Sequence, residues 1–481
     1  MTDRFIESCE QEQLHLSGHI QTFGALLMVD DDNYVRHVSD NFAALAITAQ
    51  VPKVGEQICV PIDALLRNYR SARQSHVFGF SGINDEFSVW VTPQPTGVLL
   101  EFVKAASHKV TTAAPEFPVI RDEDERFFYR RQLLEWIAQV SGHQRVMYYQ
   151  FLDGGDGRVV DEYVSSDAEG SYLDLHFPAS DIPKVARRIY EQTPWRQIAD
   201  ATSDAVPING DGQLDLTLSC LRSVSPYHLQ YMSNMGVESS VSFSILNQNS
   251  LTALLSCHSM TPRALPLELL NHISDVVGMF SLRERGWESQ ERFAFLDTLN
   301  LSSASLKSLL GQPSSNEGLW AEIISILIQQ FDADGVLICI DDMVYSNGIV
   351  FDSDVLHLVD GWFVEQEESV FVTDSFNRLS DEPLLSEVAG FCAFKLTIGQ
   401  VRQLRVYFCR QEFIHDVSWG GNPNKPREST SAESPTSPRS SFARWVEKRV
   451  GHCRPWSSLV ALRLHHYRRL FEASHFLRSL S

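Results

Sequence analysis

The sequence predicts a multidomain protein of mixed α/β (α+β) class. Three observations carry this. At 481 residues the chain is too long for a single hydrophobic core and suggests about three domains. Pairs of short strand-like runs separated by turn residues recur along it. A long stretch of helical periodicity lies between the second and third groups of strands.

Residues 23–29, the turn Asp30-Asp-Asp-Asn33 and residues 34–38 read as a hairpin, with further strands at 87–91 and 98–102. Residues 104–118 are small, polar and proline-bearing, the composition of a linker. A helix follows, with Phe127, Leu133, Leu134, Ile137 and Val140 assigned to one face. Residues 145–151 and 158–163 form a second hairpin, and residues 239–245 and 251–257, around the turn 247–250, a third. Serines alternate with apolar residues in the last of these, so one face is lined with hydroxyls. From Leu267 the pattern turns helical: Leu269, Ile273, Val276 and Phe280 follow i, i+4, i+7, i+11 spacing. Few breakers follow, which predicts a helix running beyond Phe293 as a spine between domains. A third α/β unit begins near Trp320, with strands at 336–340, 394–398 and 404–409. Residues 420–441 have the Gly, Pro, Ser and Thr content of a disordered loop, and the chain from Phe442 onward reads as helical and basic.

The chain carries 61 acidic and 40 basic residues, a formal charge of −21. This argues against non-specific nucleic-acid binding, which needs a basic face. No apolar run approaches the roughly eighteen residues of a membrane span, and Met1-Thr-Asp-Arg-Phe lacks the basic and apolar segments of a secretory signal. A soluble, cytoplasmic protein is expected. The cysteines, at 9, 59, 220, 257, 339, 392, 409 and 453, form no CxxC pair, which disfavours a zinc ribbon. Most sit in apolar runs, where a small buried hydrophobe is the ordinary role. Cys9 differs: its surroundings, Glu7-Ser-Cys9-Glu-Gln-Glu-Gln-Leu-His15, form a polar arm.

Candidate chemistry concentrates in two further segments. In Phe177-Pro-Ala-Ser-Asp181-Ile-Pro183 the proline stiffens and extends the backbone before it, so Asp181 can present both carboxylate and carbonyl to a ligand. Ser180 or Asp181 could equally cap the helix expected over 184–190. Residues 221–236 gather Arg222, Ser225, His228 and Tyr231. A single histidine is more often structural than functional, and His258, after the strand ending at Cys257, is equally ambiguous. His15 and His19 imitate a metal pair, but Ser17-Gly18 breaks the helix such a pair requires.

These segments carry a resemblance. Cys9 with residues 15–21, then 177–183, 221–236 and Leu255-Ser-Cys-His258 resemble, in order, the bacteriophytochromes, red/far-red photoreceptors built as PAS–GAF–PHY. Trp419-Gly-Gly-Asn-Pro423 and Pro438-Arg-Ser-Ser-Phe442 resemble the WxGxP-type and PRxSF motifs of the PHY tongue. Any one motif has little specificity; the ordered set, spanning nearly the entire chain, is highly specific.

The resemblance implies a PAS domain over 1–105, GAF over 118–285 and PHY over 310–481. Each is expected to be an antiparallel sheet flanked by helices, with a tongue hairpin at about 411–445 reaching the GAF pocket. It implies biliverdin IXα as chromophore, joined by a thioether to Cys9. Other phytochromes carry their cysteine immediately before the histidine matching His228; Tyr227 stands there in this chain, which favours biliverdin. Cys220 is assigned to packing. The Asp181 carbonyl would accept hydrogen bonds from ring nitrogens, with His228 nearby. Arg196 and Arg222 would hold the propionates, aided by Ser240 and Ser242, since a planar guanidinium fork suits a carboxylate. His258 would meet the D-ring carbonyl, and Tyr149, Phe177 and Tyr231 would pack around that ring. Ile182, Pro183, Tyr190 and Ser225 complete the implied pocket. In the tongue, Trp419 and Pro438 mark the motifs. Arg439 would pair with Asp181 in one state and Ser441 would replace it in the other, while the tongue refolds from hairpin to helix. The family's habit is a homodimer, with signal passed to a C-terminal output.

Two departures stand out. Ile20-Gln-Thr-Phe-Gly24 replaces the usual Ile-Gln-Pro-His-Gly, and Thr252-Ala253 replaces Trp-Gly at a place expected to lie near His258. No kinase phosphoacceptor, nucleotide box or cyclase signature follows the third unit, and no triad or metal site for turnover stands out, so a non-enzymatic module is expected. The rival readings are a GAF–PAS sensor of another small ligand, such as a cyclic nucleotide, and a degenerate phytochrome without photoconversion.

Overall fold

The computed structural model describes residues 13–72, 77–105, 113–152, 154–312, 317–376, 386–398, 402–423 and 441–474; Cys9, Pro438 and Arg439 lie outside them. The chain forms two compact units, Met1–Trp287 with Ser418–Trp445, and Glu288–Val417 with Val446–Ser481.

The first unit opens with strands β1 (His19–Ile20), β2 (Gly24–Asp30) and β3 (Val35–Ser39), helix α1 (Val60–Ala72), and strands β4 (Val77–Ser81), β5 (Glu86–Gln94) and β6 (Gly97–Lys104). Helix α2 (Glu123–Ser141) follows, then β7 (Arg145–Phe151), β8 (Gly157–Val164), β9 (His176–Phe177), helix α3 (Lys184–Tyr190), β10 (Trp195–Ile198), β11 (Val206–Gly210), helix α4 (Pro226–Asn234), β12 (Ser239–Asn247) and β13 (Ser250–Ser259). Helix α5 (Leu267–Ser302) is the expected spine, 36 residues long, with Leu269, Ile273, Val276 and Phe280 buried. The boundary between the two units falls within it.

The first sheet has the order β1-β11-β3-β2-β6-β5-β4. Its middle strands are buried on both faces. On β2, Ala25, Leu27 and Val29 pack into a core with Phe42 and Leu66, while Leu26 and Met28 join a second core containing Leu133, Leu221 and Leu255. The period-2 alternation of a strand thus splits one apolar run between two cores, and the first two domains share a continuous interior. Strand β11, although it follows β10 in the chain, joins this first sheet through Ile208↔Ser39, and β1 pairs with it through His19↔Pro207.

The second sheet runs β10-β12-β13-β7-β8-β9. On β12, Val241, Phe243 and Ile245 enter the shared core, which leaves Ser240 and Ser242 on the opposite face, as the alternation predicts. Helix α2 is capped by Asp122, whose side chain accepts from Glu125 N, and ends at Gly142 in the left-handed conformation (φ 69°). Its buried face differs from the expected one. Leu133, Leu134 and Ile137 are buried, but Phe127 is 46% exposed. Arg126 and Arg130 take the inward positions instead, because both pair with buried Glu284 of α5, at 3.0 and 2.5 Å, and Tyr148 donates to the same carboxylate at 2.7 Å. Burial alone would raise the Glu284 pKa, but the two guanidiniums hold it below the usual carboxylate range. Residues 104–118 are not wholly linker either: β6 extends to Lys104, and Phe117 is buried against Phe280.

The second unit contains α6 (Ala304–Leu310), α7 (Glu317–Phe331), α8 (Ser353–Glu365), α9 (Val460–Glu472) and strands β14 (Gly335–Ile340), β15 (Met343–Gly348), β16 (Val370–Thr373), β17 (Val388–Ile398) and β18 (Arg402–Gln411), in sheet order β15-β14-β18-β17-β16. On β17, Cys392, Phe394 and Leu396 face α7 and α9, whereas Phe391 and Ala393 face α8. Two strands remain, β19 (His415–Gly420) and β20 (Arg444–Arg449), which stand after β9 in the second sheet's order. The expectation of helix from Phe442 onward therefore fails for 444–449. That run alternates in exposure like a strand, and Gly451 (φ 77°) and Pro455 separate it from α9. Among the described residues no helix is long and apolar enough to cross a membrane.

Candidate functional site

A cavity of ≈ 220 Å³ opens on the hydroxyl-bearing face of the second sheet. All fourteen described pocket residues named from the sequence line it. The floor comes from paired strands. Ser240 lies opposite His258, and Ser242 opposite Ser256, whose Oγ is 3.2 Å from His258 Nε2. Tyr149 stands on β7 beside them, and its ring occupies the space a side chain at residue 157 would need: a Cβ on Gly157 would lie 2.0 Å from the ring. Phe177 ends β9, with its ring 6.0 Å from that of Tyr149.

The turn 179–181, followed by Ile182 and Pro183, forms one wall. Neither Ser180 nor Asp181 caps α3; Pro183 occupies the N-cap position, with no side-chain cap. The Asp181 carboxylate is directed elsewhere, accepting a hydrogen bond from Tyr231 Oη at 2.8 Å. The backbone here is held by Arg187, which donates to the Ile182 carbonyl at 2.7 Å. Tyr190 closes the end of α3, and its carbonyl accepts from Ser244 Oγ. The opposite wall is α4. Ser225 is its N-cap and Pro226 fills the first turn, where a missing N–H costs nothing. His228 and Tyr231 project from it and stack with planes 10° apart.

The two arginines differ. Arg196 lines the cavity but spends its guanidinium on the backbone: Nη1 donates to the Ser219 and Cys220 carbonyls, and Nη2 to those of Arg222 and Ser223. Arg222 instead keeps Nε and Nη1 buried without a protein partner. Burial lowers the Arg196 pKa, and burial together with neighbouring Arg196 pulls Arg222 down to about 9. His258 Nδ1 is likewise buried without a partner. Burial, with Arg145 and two other histidines nearby, lowers His258 to about 3; burial and Arg196 lower His228 to about 4. The site is therefore a concave space with one unsatisfied guanidinium, two neutral imidazoles and an aromatic end. This donor set fits an elongated ligand bearing a carboxylate and ring carbonyl or N–H groups.

Residues 9–112 match the PAS fold family, 131–279 the GAF domain family and 303–469 the phytochrome region family PHY. This order of domains is that of a bacteriophytochrome-type photosensory module. The chain is 29% identical to cyanobacterial phytochrome B of a Nostoc species and 26% identical to a bacteriophytochrome of Pseudomonas aeruginosa, each over 94% of this chain. It spans 64% of the length of both relatives. A bacteriophytochrome from the photosynthetic bacterium R. palustris has the same fold, with a TM-score of 0.79 and 24% identity over 97% of this chain and 98% of that one. The Stigmatella aurantiaca phytochrome photosensory core module gives 0.80 and 23% over 96% and 97%.

Within this phytochrome fold the tongue strands meet the site. Trp419 pairs with His176 as a parallel bridge, and their rings lie 5.7 Å apart. Phe442 is buried, edge-on to Tyr231 at 4.9 Å. Ser441 is exposed. Phe442 was visible only as the last letter of a motif; its seat on Tyr231 was not. Tyr172 and Leu14 also line the cavity, and no sequence pattern marked them. Conversely, Thr252 and Ala253 stand at the hairpin end of β13, five or six residues from His258, a separation of about 17–20 Å along a strand. They are not its neighbours. Gly420 leaves no room for a side chain against the site: a Cβ there would come within 2.6 Å of the Phe177 ring. Gly420→Ala is expected to cost about 1–3 kcal/mol through overpacking. Urea denaturation measures it, and an unchanged midpoint would remove this contact from the account.

Proposed function

We propose that this phytochrome module is a red/far-red light photoreceptor that holds biliverdin IXα in the cavity, linked through Cys9. The observation that carries the reading is the convergence of the fourteen residues on one cavity, with Arg222 donors unsatisfied at its wall. The position of Leu14 supports the attachment point. It lines the cavity and stands five positions after Cys9, a span of at most about 18 Å.

When bound, the bilin supplies the light absorption and the ring that isomerises. The residues of the chain do the rest. Arg222 offers Nε and Nη1 to a propionate, with Ser240 and Ser242 adding hydroxyls. The Asp181 carbonyl and His228 would hold the pyrrole nitrogens, and neutral His258 would meet the D-ring carbonyl. Tyr149, Phe177 and Tyr231 bound the space in which that ring turns. Phe177 and Tyr231, the two rings on which Gly420 and Phe442 of the tongue rest, would relay a change in that space to the tongue. Exchange of Arg439 for Ser441 at Asp181 then accompanies tongue refolding. The signal passes to a downstream output region or partner, without catalytic turnover in this module. A second copy of the chain is the expected partner, and the exposed Phe127 and Phe128 of α2 with Met279 and Leu282 of α5 offer an apolar surface for it.

Mixing pigment-free protein with biliverdin should give a red absorbance band that red light shifts reversibly. The pigment should also stay with the protein after denaturation in acidic urea. Cys9→Ser should abolish that covalent retention while leaving non-covalent uptake. Absence of any spectral change with wild-type protein would refute the photoreceptor reading.

A further inference from the structure

Strand β6 alternates between two interiors. Val98, Leu100 and Phe102 fill the first domain's own core, while Leu99 and Val103 face the core shared with the second domain. Glu101 is the one charged residue of that second row, and it is fully buried. A lone carboxylate in such a place is costly unless its oxygens are occupied. Here they are. Oε1 accepts from Ser219 Oγ at 2.5 Å and from Leu221 N at 2.8 Å, and Oε2 accepts from Cys220 N at 3.0 Å. Ser219 Oγ in turn accepts from Arg222 N at 2.9 Å. On the carbonyl side the same loop is gripped by Arg196, and Gln21 of the N-terminal segment donates to the Arg222 carbonyl at 3.2 Å.

We infer that Glu101, from the first domain, is a positioning residue for the carboxylate subsite: through Ser219 it fixes the backbone from which Arg222 presents its free donors to the cavity. The inference rests on the proposed bilin reading. Glu101 does not line the cavity and acts only through the 219–222 loop. A guanidinium fork rewards accurate placement, because both of its bonds to a carboxylate depend on one orientation. Loss of the carboxylate therefore weakens recognition of propionate specifically, rather than uptake of the tetrapyrrole as a whole.

The test compares two pigments, biliverdin and its dimethyl ester, which lacks both carboxylates. Wild-type protein should bind the free acid in preference to the ester. In Glu101→Gln that preference should shrink about tenfold, the worth of one charge-assisted hydrogen bond, with ester affinity little changed. Ser219→Ala, which breaks only the relay, should shrink it in the same direction, and it decides the matter if Glu101→Gln does not fold. Glu101→Asp should restore part of the preference. An unchanged acid-to-ester ratio in Ser219→Ala, or equal binding of the two pigments by wild-type protein, overturns the inference. Failure of wild-type protein to bind either pigment refutes the photoreceptor reading instead.

Discussion

Glu162→Gln is expected to lower the stability of the first unit by about 3–5 kcal/mol, the usual consequence of leaving one member of a buried ion pair uncompensated. Arg145 and Glu162 have side chains only 1% and 2% exposed, and Nε lies 3.0 Å from Oε1. The carboxylate also accepts from Ser171 Oγ at 2.6 Å, from Tyr172 N at 3.0 Å and from Leu173 N at 3.2 Å. Arg145 Nη2 donates to the carbonyls of Glu169 and Gly170, and its guanidinium lies 4.1 Å from the Tyr172 ring centroid. The pair therefore pins both ends of residues 169–173 and holds Tyr172 at the aromatic end of the cavity. Glutamine preserves the shape of Glu162 but not its charge, and it turns one acceptor into a donor facing N–H groups. Arg145→Met combined with Glu162→Gln should recover part of the loss, because no charge is then stranded. Urea denaturation of the single and double variants measures the cycle. A single-variant loss below about 1 kcal/mol would place this pair with weak surface bridges instead.

None of this pair's importance was legible in the sequence, although both residues were. Arg145 and Glu162 sat within correctly expected strands, but the cross-strand register that buries them is a tertiary fact. The hairpins were legible because alternation and turn residues act locally: residues 239–257 gave both the strands and the hydroxyl-bearing face. The site was legible for a different reason, the ordered resemblance, which named fourteen cavity-lining residues. Where reading failed, a distant partner had overridden local pattern. Phe127 follows the apolar spacing of α2, yet Glu284 draws Arg126 and Arg130 inward in its place. Ser180 and Asp181 look like caps, yet the turn 179–181 ends before α3, and Tyr231 engages the Asp181 carboxylate. Arg196, expected at a carboxylate, does line the cavity, and four backbone carbonyls accept from its two Nη groups there.

That same crowding of basic groups makes the pigment-free protein sensitive to mild acid. His143, His228 and His258 all have pKa values lowered by burial, to about 4, about 4 and about 3, from an ordinary 6.5. Arg263 faces His143, Arg196 faces His228, and Arg145, His143 and His228 face His258, so each added proton meets existing positive charge. A lowered folded pKa means that below pH 6.5 the unfolded chain takes up protons which the folded chain refuses. Stability is therefore fully present above 6.5 and lost as pH falls through the folded values. Each histidine contributes a slope of up to about 1.4 kcal/mol per pH unit, so the three together reach about 4 kcal/mol per unit. Burial raises Glu101, whose contribution has the opposite sign, being lost as pH rises; it offsets up to one histidine's share above pH 4.5. Lowered Glu284 adds to the loss only below 4.5, so the histidine window is 6.5 down to 4.5. His143 is the informative position, since its ring nitrogens are buried without partners and it does not line the cavity. His143→Asn should flatten the slope in that window by about a third to a half, the larger figure if the Glu101 offset is complete, and leave a remainder from the other two. Urea midpoints between pH 7 and 4.5 give the slopes directly, and a wild-type midpoint that does not move across that range would mean that these imidazoles are already protonated, or freely hydrated, in the folded protein.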